Sequence, residues 1–140
     1  MKSQTSHFPP LAPSNHVGTR VKVATSEKLN ELALLKAGWD CYGAPPIERK
    51  IIDAAIHFVS QLPDTIHIQP RVVPTSAGGL QLEWHDGPRV LELEFENPQE
   101  IRFLRWHPQA AIEEEDSFSA KDINRAVELI HWHTHGPQPR

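Results

Sequence analysis

Cysteine is nearly absent from this chain of 140 residues: Cys41 stands alone. An internal disulfide is therefore excluded, and so is the paired-cysteine spacing of a structural zinc site. Glycine is sparse, with seven residues against thirteen prolines. None of the glycines falls in a phosphate-binding loop, a dinucleotide fingerprint or a nucleophile elbow. No His-Glu-x-x-His pair is present either. No apolar run approaches the roughly 20 residues needed to span a bilayer. Lys2 is not followed by an apolar segment, so no signal peptide is expected. Together these absences favour a reducing cytoplasm and no membrane attachment.

What remains is the composition of one globular domain, with 39% hydrophobic and 23% charged residues. The net charge of −4 is unevenly spread. Residues 1–22 carry Lys2, Arg20 and Lys22 and no acid, whereas residues 83–116 hold ten acids and three arginines. Such an acidic region repels a nucleic-acid backbone and suits a basic protein partner, or simple solubility.

Residues 1–22 read as a proline-containing tail, of which residues 1–20 are expected to be dispensable for folding. Phe8-Pro9-Pro10-Leu11-Ala12-Pro13 is extended in character, and no apolar period follows it. A single domain is expected over residues 23–135, with a frayed end at 136–140. A first helix is expected from a cap at Thr25 or Ser26, with Leu29, Leu32, Leu35 and Trp39 as its stripe. Gly38 would close it in a left-handed conformation, with Trp39 packing back on Leu34. A second helix is expected from Pro45-Pro46 to Pro63, apolar over a broad face that includes Ile51, Ile52, Ala55, Phe58 and Val59.

The apolar period then changes to two. Strands are expected at 71–75, at Leu80-Leu82-Trp84, at Leu91-Leu93-Phe95 and at Ile101-Phe103. The expected register sets Leu82 opposite Leu91 and Leu80 opposite Leu93. It then sets Phe95 opposite Ile101, Leu93 opposite Phe103 and Glu94 opposite Arg102. Residues 107–117 read as an acidic loop. A last helix is expected from Ser119, with Asp122 completing a capping box and Ile123, Val127 and Ile130 on its core face. The fold class is α+β: two N-terminal helices, a four-stranded antiparallel meander and a C-terminal helix.

One segment has more ordered chemistry than a linker needs: Gly38-Trp39-Asp40-Cys41-Tyr42-Gly43-Ala44-Pro45-Pro46. With Pro70-Arg71-Val72-Val73-Pro74 and Gly78-Gly79-Leu80-Gln81-Leu82-Glu83-Trp84, it resembles a group of small uncharacterised bacterial proteins. Their pattern is a GWDGYGAPP-like loop followed by a GGxQLEW strand. The resemblance covers roughly residues 29 to 132 and departs at Cys41, where the pattern has glycine. It implies a bacterial cytoplasmic protein and no particular activity.

Three constellations could carry function. Trp39, Asp40 and Tyr42 are either a recognition spot or the loop's own fastening, with Trp39 closing the core and Asp40 bonding the turn. The outward strand face carries Gln81, Glu83, His85, Glu92, Glu94, Glu96, Arg102, Leu104 and Trp106. Its carboxylates suit a solvated sheet face. Glu83, Glu92, Glu94 and His85 could instead serve a metal-assisted hydrolase or nuclease. Leu104 and Trp106 place apolar area among those charges, which points to a covering partner. His131, His133 and His135 lie at a helix end and suggest adventitious metal binding only.

The leading expectation is a non-enzymatic protein-interaction module. It would be an inhibitor, an antitoxin-like partner or an accessory factor, binding through Trp106, Leu104, Glu92, Glu94 and Arg102. No cofactor and no dedicated metal site are expected. Homodimerisation through the same face is the rival arrangement, and nucleic-acid binding through the basic arm is the weakest.

Overall fold

The inner face of the sheet is dictated by strict alternation. Leu80, Leu82, Trp84, Leu91, Leu93, Phe95, Ile101 and Phe103 are all buried, while their neighbours along each strand are not. The computed structural model describes the backbone of residues 13–85 and 87–136, and side chains from Val17 onward. Its elements are α1 (Pro13–Glu31), a 3₁₀ turn (Leu32–Leu34), α2 (Arg49–Ser60), β1 (Arg71–Pro74), β2 (Leu80–Trp84), β3 (Val90–Phe95), β4 (Glu100–His107), a 3₁₀ turn (Pro108–Ala110), β5 (Ile112–Ser119) and α3 (Ile123–His135). The five strands form one antiparallel meander in sequence order. No helix among the described residues is long and apolar enough to cross a membrane.

The α+β class therefore holds, with five strands where four were expected. The fifth occupies the expected acidic loop. Four consecutive acids, Glu113 to Asp116, hide its alternation. An edge strand tolerates this because water reaches both of its faces, and charge there discourages pairing with another chain. On the helix side, Glu114 pairs with Arg105 and lies 3.8 Å from Arg125. The two guanidinium groups in turn lie over the rings of Trp132 and Phe103. That side of β5 thus closes the core with these ion pairs together with Ile112 and Phe118, which pack against it.

The β3–β4 hairpin has the expected register: Phe95 opposite Ile101, Leu93 opposite Phe103 and Glu94 opposite Arg102. Its turn is held by Asn97 Oδ1, which accepts from the amides of Gln99 and Glu100 at 2.9 Å each. The β2–β3 register is two residues away from the expected one. Leu82 faces Leu93, and Trp84 faces Leu91. A slip of two preserves which side chains point inward, so apolar matching could not discriminate it.

The tail expected over residues 1–22 is replaced, from Pro13 onward, by the first half of α1; residues 1–12 lie outside the described residues. Hydrophobic periodicity missed this half because its contact face is built from small or polar groups. Gly18 is buried against the backbone of Asp64, Thr25 is 1% exposed, and Lys22 Nζ lies 3.0 Å from Asp64 Oδ1. Thr25 is no cap. Its hydroxyl donates to the Val21 carbonyl at 2.7 Å, one turn back within the helix. The α-helix ends at Glu31, before the expected Gly38, and Leu34 is exposed rather than covered by Trp39.

Helix α2 starts at Arg49, not at Pro45-Pro46, after an extended Glu48, and it buries the five predicted residues Ile51, Ile52, Ala55, Phe58 and Val59. Phe58 meets Phe95 edge to face at 5.5 Å. Helix α3 is capped by Asp122 itself, whose carboxylate accepts from the Arg125 amide at 3.1 Å. Ser119 instead ends β5. At the other end, Gly136 is buried and its amide donates to the Trp132 carbonyl. The fraying expected beyond it concerns residues 137–140, outside the described residues. Side chains from all three helices join the inner sheet face in one core.

Candidate functional site

The helices occupy one side of the sheet, so its other side faces outward. Register fixes the rows across it. Gln81, Glu94, Arg102 and Ser117 form one row, and Glu83, Glu92, Leu104 and Glu115 the next. Val90, Trp106 and Glu113 form a third. A depression of about 390 Å³ opens there, with Glu92, Glu94, Arg102, Leu104, Glu100 and Glu115 among its lining.

Four of the five sheet residues singled out from sequence therefore converge: Glu92, Glu94, Arg102 and Leu104. Trp106 does not line the depression. It lies two residues further along β4, beyond Leu104, and is 42% exposed. The aromatic thus flanks the hollow rather than centring it, a correction to the expected layout. Glu100, Glu115 and Asp116 were not anticipated as lining residues. Reading 107–117 as a loop removed β5 from the sheet, and with it the wall that β5 contributes.

The electrostatics of the hollow follow from crowding. Arg102 is its one guanidinium among the lining residues, and its nearest carboxylate is Glu96 at 3.6 Å. Partial burial pushes the Glu94 carboxyl above its ordinary value of 4.5; hydrogen bonding and like charge from Glu96 add to this, while Arg102 and Gln81 oppose it.

Beside the hollow, β2 and β3 bring Glu83, His85 and Glu92 together. His85 Nε2 lies 3.2 Å from Glu92 Oε2 and 3.8 Å from Glu83 Oε1. Among the described residues this is the group of three potential metal ligands whose donor atoms all lie within 4.8 Å of one another. Glu94, the fourth member of the expected hydrolase set, is not part of it. The C-terminal histidines do not converge in this way: the exposed rings of His131 and His135 lie 4.3 Å apart, tilted by 52°, whereas His133 is buried.

The aromatic loop is a separate construction. Asp40 Oδ1 accepts from the amides of Tyr42 and Ala44 at 2.9 and 3.0 Å. Those two bonds hold its carboxyl below the ordinary 3.8. The Trp39 indole donates to the Pro45 carbonyl at 2.9 Å, and the Gly38 amide to the Ala44 carbonyl at 2.7 Å. Trp39 and Asp40 thus fasten the loop, while Tyr42 projects from it, 91% exposed. Cys41 has φ of 66°, in the left-handed region that glycine enters at less cost. None of these loop residues lines the hollow.

No protein-family model, curated protein or solved structure matches this chain.

Proposed function

We propose that this chain is a non-enzymatic protein-interaction module whose outward sheet face receives a basic partner. The observation that supports it is the hollow itself. Carboxylates from three strands surround Leu104 with a single guanidinium, and an exposed indole stands at the flank. An acidic surface with an apolar floor and an aromatic anchor suits a basic surface carrying an apolar side chain. The surrounding carboxylates would raise the association rate and make it depend on salt. A bacterial cytoplasmic inhibitor, antitoxin-like partner or accessory factor fits this chemistry, and the lone cysteine suits that compartment.

Affinity capture from the native host with wild type and Trp106→Ala, each at low and high salt, tests the reading. A partner of basic composition should be retained by wild type, released by salt and lost from the variant. Losing an anchoring indole costs about 2 kcal/mol or more of binding energy. A partner held equally by Trp106→Ala would sink the assignment of this face. Sedimentation of the free protein runs beside it: a dimer that Trp106→Ala dissociates would make the partner a second copy of this chain.

The grouping of Glu83, His85 and Glu92 supports a second reading, a metal-assisted hydrolase or nuclease. Its readout is metal-dependent cleavage of a generic phosphodiester that disappears in His85→Ala.

A further inference from the structure

We infer that Glu83, His85 and Glu92 form a binding site for a divalent transition-metal ion of the zinc type, on the outward face at the β2–β3 ladder. Three independent features converge on it.

The first is donor geometry. Zinc bound at about 2.1 Å in a tetrahedron sets its ligand atoms about 3.4 Å apart. His85 Nε2 lies 3.2 Å from Glu92 and 3.8 Å from Glu83, so small side-chain rotations suffice.

The second is the state of Glu83. Its side chain is only 10% exposed, and among the described residues its carboxylate is met by two long ion pairs. Its nearest cationic nitrogens are Arg71 at 3.7 Å and His85 at 3.8 Å, and Arg71 is 74% exposed. Those distances are too long for hydrogen bonds. Arg71 and His85 therefore compensate this mostly covered carboxylate only through long ion pairs, and a cation among the three donors would compensate it more closely.

The third is register. Glu83 stands directly opposite Glu92 across the ladder. Like charges in that position repel, and a cation between them turns the repulsion into coordination.

The donor types narrow the ion. One imidazole with two carboxylates suits zinc and its first-row neighbours, whereas magnesium prefers oxygen ligands and retains its water. His85 and Glu92 are 43% and 25% exposed, which leaves an entry path from solvent. Three protein ligands leave a coordination position open to water or to a carboxylate of an incoming molecule. The bound ion would also cancel charge at the rim of the acidic hollow. The site does not rest on the partner-binding reading, since it uses neither Trp106 nor Leu104.

The test is zinc titration of the full-length, metal-stripped protein in competition with a chromophoric chelator. One equivalent of zinc should bind to wild type. Glu83→Gln and His85→Ala should each weaken binding by about tenfold or more, beyond the smaller effects typical of losing an outer partner. A His131→Asn/His135→Asn variant should bind as wild type does. Cobalt(II) substitution should give a d–d spectrum without a thiolate charge-transfer band, which separates this site from Cys41. Circular dichroism of each variant checks that the fold is kept, and Glu83→Gln preserves shape where His85→Ala does not. Absence of stoichiometric binding tighter than about 100 μM would overturn the inference. So would an affinity that survives both Glu83→Gln and His85→Ala, or one lost instead with His131 and His135.

Discussion

Gly18 of α1 lies directly against the backbone carbonyl of Asp64, so close that a β carbon at position 18 would overlap that oxygen. The contact joins the first helix to the segment that follows α2, and the Lys22–Asp64 ion pair flanks it. Gly18→Ala must therefore push the helix away. The expected cost is about 1–3 kcal/mol, the usual range for overpacking. Denaturant unfolding measures it, with exposed Arg20→Ala as a control expected within about 0.5 kcal/mol of wild type. Deleting residues 1–20 removes the same contact and should lower the melting temperature, in contrast to what a dispensable tail implies.

Leu93 lies at the centre of the inner face, fully buried between Leu82 and Phe103 on neighbouring strands. Leu93→Ala should destabilise by about 2–5 kcal/mol, because the rigid ladder on both sides limits collapse into the space left behind. An unchanged urea midpoint would contradict the assignment of sheet faces.

Glu94 makes stability depend on pH with a definite sign. Its folded-state pKa is raised above 4.5, chiefly by burial and then by Glu96. The folded protein therefore holds this proton more tightly than the unfolded chain does. That contribution is fully present below about 4.5 and is lost as pH rises through the raised value. Glu94→Gln removes the loss. Relative to wild type, the variant should gain stability between pH 4 and pH 7, as read by denaturant titration at each pH. A difference that shrinks or reverses over that interval would show that Arg102, not burial, governs the carboxylate.

Cys41 holds a left-handed backbone conformation with its side chain exposed. An L-residue pays about 1–2 kcal/mol for that region, and an exposed thiol returns little packing. Cys41→Gly also gives the unfolded chain more freedom, which offsets part of the gain. The net expectation is stabilisation by about 0.5 kcal/mol, within the range known for matching a residue to its backbone angles. A fall in melting temperature would mean that the thiol holds the loop.

Much of the sheet was legible in the sequence, because alternation is a strong signal wherever one face is buried. Leu80, Leu82 and Trp84 alternate with Gln81, Glu83 and His85, and Leu91, Leu93 and Phe95 alternate with glutamates. Each pattern has one reading as a half-buried strand. The turn at Asn97 and the broad apolar face of α2 were legible for similar reasons. The first half of α1 was not, since close backbone contact at Gly18 leaves no apolar stripe to detect. Strand β5 was not either, because an edge strand buries too little to require alternation.

The candidate sites divide along the same line. The sequence by itself determined that carboxylates, Leu104 and Trp106 share the outward face, since a period of two assigns every side chain to one side or the other. Only the tertiary structure decided which of them meet. The β2–β3 register set Glu83 opposite Glu92, and β5 supplied the second wall of the hollow, leaving Trp106 at its flank. Register and neighbouring strands are properties of pairing between distant segments, and a slip of two residues leaves each strand's own pattern unchanged.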